Sequence, residues 1–480
     1  MISSLIVIPA AAAVICFLLK NDRARRFTVI AAAAVHFINT LALWAARPVP
    51  RPQDWLGADA LSLVFLLIMS TLFMCAAIYA VQYLATETKR QEEDFSAGLL
   101  DMKNAPEAVF CGCLLMFLSM MSAVILSRNF GLMWVAVEAT TLSTAPLIYF
   151  HRSRHSLEAT WKYLLICSVG IALALIGNFA LAAAGGEHFS LQFSMLAENA
   201  KSLNPVWMKT AFIFMLVGYG TKAGLAPMHT WLPDAHSQSP SVVSSLLSGA
   251  LLNCAMLAII RMHGLCAKAG LAQTSSGMLI ALGLASLLVA AVFIIRQKDY
   301  KRMLAYSSIE NMGIIAVGLG GGATYAALLH AAGHSFIKGA LFMTAGNILR
   351  IFKTKSCEWA KGLAAISPAT AVLWFGGFLA ISAIPPFSTF VSKFLILATL
   401  ATGGHWVTAG LYLLFIAAVF LGMSHTVIAM TFSAPAPEVK PTGSPKGFII
   451  PAAILLAAAL ALGLYMPDGI QALLEEAARL

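Results

Sequence analysis

Apolar stretches long enough to cross a bilayer follow one another through this chain almost from end to end, and that succession constrains the fold more than any other feature. In lipid every backbone polar group must be satisfied within its own segment, so a crossing costs about 20 mostly apolar residues in helical form. Such stretches fall near 2–19, 28–46, 58–84, 106–126, 130–150, 160–184 and 207–228. They continue near 240–262, 276–295, 303–321, 323–350, 368–399, 406–431 and 448–466. The expectation is an all-α polytopic membrane protein of about fourteen transmembrane helices, one membrane domain over residues 1–480. The composition agrees: 60% of residues are hydrophobic and 11% charged, against about 25% charged in a soluble domain. The first stretch has no small-residue cleavage site before further spans and is expected to be a retained helix.

The formal net charge of +10 is explained by topology, not by nucleic-acid binding. Lys20, Arg23, Arg25 and Arg26 follow the first span; Lys89, Arg90 and Lys103 the third; Arg152 and Arg154 the fifth. Arg296, Lys298, Lys301 and Arg302 follow the ninth; Arg350, Lys353, Lys355 and Lys361 the eleventh; Lys440 and Lys446 the thirteenth. The alternate loops hold fewer: Arg47, Arg51, Arg128, Lys201, Arg261 and Lys268. The positive-inside rule makes the odd-numbered loops cytoplasmic and places both termini outside, in a bacterial or archaeal cytoplasmic membrane. The eight cysteines are scattered, and Cys111 and Cys113 lack zinc or redox spacing. With no phosphate loop, haem-attachment pattern or iron–sulfur cysteine cluster, no cofactor is expected, and any electron chemistry belongs to another subunit.

An ionised side chain at the bilayer centre costs about 2.5–3.5 kcal/mol even on the lenient insertion scale, so each one needs a reason. Glu138 in LMWVAVEATTLSTAPLIYF, Lys222 in FIFMLVGYGTKAGLAPMHTW, Lys338 in LLHAAGHSFIKGALFM and Lys393 in IPPFSTFVSKFLILATL all fall inside spans. Glu310, in AYSSIENMGIIAVG, lies about two turns into its span and is a weaker case. Any one of these could merely pair helices or reach for the interface; several in one chain point to an ion path. Lys162 and Lys209 lie nearer span ends, where snorkelling is the simpler account, more so for Lys209.

His330, His334 and Lys338 recur every four residues and share one helix face, with about 6 Å of rise between neighbours. Water can bridge that gap, and an imidazole donates from one nitrogen while accepting at the other. A zinc site would need a third ligand and a carboxylate second shell, neither of which the sequence offers, so no metal is expected. Pro227 follows Lys222 by five residues, and Pro385 and Pro386 precede Lys393. Proline frees backbone carbonyls that only a neighbouring helix or a hydrated cavity can satisfy, and matched breaks in two halves suggest inverted repeats.

These blocks resemble the antiporter-like subunits shared by respiratory complex I, membrane-bound hydrogenases and Mrp sodium–proton antiporters. The likeness spans about residues 105–430 and rests on WVAVEATTLS, GTKAGLAPMHTWLPDAHSQSPSVVSSLLSGALL, QKDYKRMLAYSSIENMG, HAAGHSFIKGALFM and IPPFSTFVSKF in that order. Within the family the chain is most similar to the F subunit of hydrogenase-4-type complexes. The resemblance implies two inverted five-helix repeats, 106–262 and 276–431, with broken seventh and twelfth helices. It implies a charge-switching pair of Glu138 and Lys222, a central axis of His330, His334 and Lys338, and a terminal lysine at Lys393. It further implies partners: other membrane subunits of one complex and a peripheral redox arm.

Where complex I relatives often carry a lysine in the eighth helix, this chain has Asn253, which bonds water but holds no proton at neutral pH. Either Lys338 and the histidines span that gap through water or conduction is altered; Asn253 also suits simple helix pairing. His229, Asp234 and His236 in MHTWLPDAH serve either packing or proton uptake, and Lys301 and Arg302 read as topology and interface charges. The expected function is proton translocation in a redox-driven complex. The alternatives are an Mrp-type sodium–proton antiporter subunit and a non-conducting scaffold of a membrane arm. No nucleophile, base and oxyanion group converge to suggest an enzyme acting alone.

Overall fold

The computed structural model describes residues 1–87, 104–186, 190–435 and 446–479. In order these form α1 (Ser4–Leu18), α2 (Asp22–Ala46), α3 (Ala60–Glu87), α4 (Glu107–Leu126), α5 (Phe130–Ile148), α6 (Arg154–Gly185) and a short α7 (Phe193–Glu198). Next come α8 (Pro205–Ala223), α9 (Trp231–Gln238) and α10 (Ser241–Leu246), which passes through a π-helical turn at Leu247–Leu251 into α11 (Leu252–Lys268). The chain continues with α12 (Ala272–Ile294), α13 (Tyr300–Gly320), α14 (Thr324–Phe352), the single turn α15 (Leu363–Ile366), α16 (Pro368–Ile381) and α17 (Ser388–Thr402). It closes with α18 (Trp406–Phe432), α19 (Ile450–Leu464) and α20 (Asp468–Ala477). Among the described residues there is no β-strand, only isolated bridges. Of the charges used for topology, Lys89, Arg90, Lys103 and Lys440 lie outside the described residues.

The protein is all-helical, as the sequence predicts. Among the described residues nine helices are long and apolar enough to cross a membrane, or ten if the bent pair α19–α20 is one span. The other expected spans correspond to α1, α8, α14 and the pair α16–α17, with α19 in the bent pair. Each of them is short, interrupted or rich in polar residues. Side chains set the helix starts: Asn21, Asn129, Asn204 and Asp299 each accept from backbone N–H groups of the turn that follows, satisfying donors the helix leaves free.

Polarity decides which helices go inside. The span of α10 and α11 and most of α13 are buried, and they carry the serines, asparagines, Lys301 and Glu310 that lipid would not tolerate. By contrast α18 turns Leu413, Leu414, Leu421 and Phe432 outward. Close approach between α12 and α13 requires glycine: a Cβ on Gly313 would fall 2.8 Å from the Gly283 carbonyl oxygen, and the reverse contact is equally tight.

Two expected spans are split. The helix carrying Lys222 stops at Ala223, with Gly224 at φ +77° as a left-handed cap, and resumes as α9 at Trp231. The second break separates α16 from α17 across Ser382–Phe387, and Ala383 takes a left-handed φ of 62° there.

Candidate functional site: a buried row of lysine, glutamate and histidine

Lys222 occupies the last turn of α8, where the negative end of the helix dipole favours a cation. It is 1% exposed, and its ammonium donates to the Thr141 hydroxyl at 2.8 Å and to the Tyr163 hydroxyl at 2.6 Å. Thr141 in turn donates to Glu138 at 3.3 Å. Glu138 is half-buried on the flank of the bundle and accepts from Ser168 of α6 at 3.2 Å. A hydroxyl therefore stands between the two groups expected to pair. Glu138 and Thr141, three residues apart on α5, share a helix face, so Thr141 was within reach of the sequence pattern. Tyr163 was not, because only the packing of α6 brings it in.

Lys393 shows a more direct arrangement. Its ammonium lies 3.1 Å from the Glu310 carboxylate and 3.1 Å from the Ile381 carbonyl oxygen, at the buried C-terminal end of α16. From Glu310 the contacts run on without a break: the Asn311 side-chain amide donates to Glu310 at 3.3 Å, and its Oδ1 meets His330 Nε2 at 2.9 Å. His330 Nδ1 meets Ser392 at 2.8 Å. All five side chains are buried. A cavity of about 10 Å³, lined by Glu310, Lys393 and Ser382 on one side and Phe420 and Met423 of α18 on the other, has room for about one water. The sequence pattern left Asn311 and Ser392 unremarked, although each adjoins a residue it singled out.

The centre is polar but not continuously bonded. His334 is fully buried and neither ring nitrogen has a hydrogen-bond partner among the described residues. One turn on, Lys338 donates to the Leu304 carbonyl at 2.7 Å, which also accepts from Ser308; Ser308 meets Ser248 at 2.8 Å. Asn253 donates to Ser335 at 2.6 Å and to the Gly249 carbonyl at 3.1 Å, beside the π-helical turn, and its own oxygen is unpartnered. Buried polar atoms left without protein partners are usually met by internal water. Here they are both ring nitrogens of His334 and the side-chain oxygen of Asn253, whose amide bonds the neighbouring Ser335.

The remaining candidates sit elsewhere. Lys162 is exposed, pairing with Glu158 at 2.7 Å and Asp234 at 3.0 Å; Asp234 also pairs with Arg302 of α13. That cluster lies apart from the buried row. His229 borders the break after α8, with Nδ1 unpartnered, and His236 is fully buried. Lys209 is exposed, as a snorkelling lysine should be. Lys301, read from the sequence as a topology and interface charge, is 1% exposed and donates to the Ser239 carbonyl at 2.6 Å. Sequence position alone misplaces it: a lysine in a first helical turn normally reaches water. Among the described residues no three His, Cys, Asp or Glu side chains converge as metal ligands.

A helical bundle with two broken spans and an internal row of ionisable groups defines the class of polytopic membrane proteins with charges buried at their helix breaks. The chain belongs within it to the NADH:quinone oxidoreductase/Mrp antiporter transmembrane family, whose model matches residues 127–422. It is 38% identical over 356 residues to a hydrogenase-4 component F homolog of Methylacidiphilum infernorum, covering 72% of this chain and 73% of that one. It is 30% identical over 369 residues to hydrogenase-4 component B of Escherichia coli, covering 74% of this chain and 52% of that longer one. Its fold matches a chain of the Mrp complex from Dietzia sp. with a TM-score of 0.85 at 19% identity, over 100% of this chain and 96% of the other.

Proposed function

We propose that this chain is an antiporter-like, proton-translocating membrane subunit of a redox-driven complex of hydrogenase-4 or NADH dehydrogenase type. The observation that carries this is the buried line from Lys393 through Glu310 and Asn311 to His330, in which each contact is within 3.3 Å. Burying those groups is costly unless they act together. Each can give or take a proton, apart from Asn311, which links them.

In this reading Glu138 and Lys222 form the switch of a first repeat, 106–262, and Lys393 with Glu310 that of a second, 276–431. Support comes from two contacts at the helix breaks: Lys222 lies in the last turn of α8, and the Lys393 ammonium meets the Ile381 carbonyl that ends α16. His330, His334 and Lys338 join the two through water. Charge placed beside Glu138 by a neighbouring subunit draws on Thr141, weakens the hold on Lys222 and sends its proton toward the centre. Glu138 and Ser168 lie on the flank of the bundle, where such a neighbour would sit. Other membrane subunits and a peripheral redox arm are the expected partners, in a bacterial or archaeal cytoplasmic membrane with both termini outside.

The test is proton movement in proteoliposomes holding the purified complex, with Lys222→Met and Lys393→Met. Loss in both variants with the complex intact supports the path; undiminished movement removes that lysine from it. Sodium-dependent exchange without redox turnover would replace this reading by an Mrp-type antiporter subunit.

A further inference from the structure

The residues that open α13 grip the half-helix α9 at successive points. Asp299 accepts from the Ser237 hydroxyl at 2.5 Å, Lys301 donates to the Ser239 carbonyl at 2.6 Å, and Arg302 pairs with Asp234. Lys355, in the loop after α14, adds a donor to Gln238 at 3.3 Å. Arg302 and Lys355 keep part of their surface in solvent, but Lys301 does not. A lysine in a first helical turn has water within reach of its long stem. Burying it costs several kcal/mol unless the ammonium gains something there.

What it gains is the C-terminal end of α9, where an unpaired carbonyl favours a cation. The contact does not stop at Ser239. The Ser239 hydroxyl meets that of Ser244 at 2.8 Å, and Ser244 donates to the His236 carbonyl at 3.0 Å. Lys301 thus fixes, through two serines, the backbone that carries His236. The His236 ring is fully buried, lies nearly parallel to Phe342 with centroids 4.8 Å apart, and has no hydrogen-bond partner at either nitrogen among the described residues. Phe342 is one turn beyond Lys338 on α14, which brings the His236 ring to the same stretch of that helix. An imidazole used only for packing would be better replaced by an apolar ring, since each unmet nitrogen is costly at such depth.

We propose that Lys301 is a positioning residue, holding the end of α9 so that His236 stays against Phe342, in place to exchange a proton with Lys338. This rests on reading the lysine row as a proton path, and it adds a branch that enters at the α9–α13 junction instead of through Lys222. The outer end of that branch is the exposed cluster of Asp234, Lys162 and Arg302.

The experiment compares proton movement by the purified complex in proteoliposomes, driven by its own reaction. Lys301→Met keeps the length of the side chain and removes the donor, and is expected to slow proton movement about tenfold to a hundredfold, the scale of a misplaced reacting group. Lys301→Arg restores the donor and is expected to restore movement. In a His236→Phe background, Lys301→Met is expected to add no further loss. Normal movement in Lys301→Met, or the same proportional loss without His236, overturns the proposal. Should Lys301→Met prevent assembly, Phe342→Leu frees the His236 ring without touching Lys301 and is expected to give the same slowing; normal movement there overturns it too. Lys338→Met in parallel separates the two ideas. A silent Lys338 variant removes the path and this branch together, whereas an inactive one beside a normal Lys301→Met removes only the positioning role.

Discussion

Lys393 and Glu310 form a direct ion pair at 3.1 Å, with both side chains almost wholly out of solvent. Removing one partner of such a pair leaves the other charge buried without compensation, at about 3–5 kcal/mol. Glu310→Gln is therefore expected both to lower the thermal stability of the detergent-purified complex and to stop proton delivery at Lys393. The double variant Glu310→Gln, Lys393→Met removes both charges and is expected to regain most of the stability but none of the transport. Thermal unfolding and proteoliposome pumping on the same preparations check this; recovery of pumping in the double variant would take the pair out of the path.

At the other lysine the carboxylate is one step removed. Thr141→Val preserves the shape of the side chain while deleting both the acceptor for Lys222 and the donor to Glu138. The expected result is proton transport slowed by about a hundredfold, the scale of a lost proton-transfer partner, with Thr141→Ser close to normal. Because Glu138 would act on Lys222 through that hydroxyl, Glu138→Gln and Thr141→Val should be strongly non-additive when combined. Additive losses would mean that Glu138 acts on Lys222 by another route.

The spans and the identities of the buried charges could be read from the chain because lipid makes both expensive: neither a long apolar run nor a lysine within one arises cheaply by chance. What could not be read is how those charges are joined. Glu310 looked like a marginal case two turns into its helix, and only the packing of α17 against α13 and α14 shows it facing Lys393 and, through Asn311, His330. Serine, threonine and asparagine carry no charge to mark them within an apolar run, so Thr141, Ser392 and Asn311 escaped notice. Lys301 differs in the opposite sense: its charge suggested a topology and interface role, and a carbonyl contributed by another helix keeps it inside.

Asn253 holds no proton at neutral pH, yet its amide bridges Ser335 and Gly249 and leaves an oxygen free beside the residue that follows His334. If water held by that oxygen links the centre of the row, an apolar side chain of similar volume should dry it. Asn253→Leu is expected to slow transport about tenfold, equivalent to a barrier higher by about 1.4 kcal/mol, with little change in assembly. Transport equal to wild type in proteoliposomes would assign Asn253 to helix pairing alone.

Not every buried charge belongs to the row, and the Asp59–Arg261 pair offers a contrast. Arg261 reaches Asp59 with two N–H groups at 2.8 and 2.9 Å and also donates to the Ser62 hydroxyl, joining the start of α3 to α11. Burial pushes the Asp59 carboxyl up, but the Arg261 guanidinium and hydrogen bonds from Ser62 outweigh it and hold it below the usual carboxylate range. A carboxylate held low in the folded state stabilises the fold above its unfolded value of about 3.9, and that contribution is lost as pH falls through the native value. Asp59 is partly open to solvent, so screening limits the pair to about 1–2 kcal/mol. Asp59→Asn is accordingly expected to lower the unfolding temperature at pH 7, with the gap from wild type narrowing once the pH drops below about 4. Proton transport by the assembled variant at pH 7 should stay near wild type, because Asp59 touches no member of the lysine row. A transport defect as deep as that of Glu310→Gln would place this pair on the path and make the buried row only part of it.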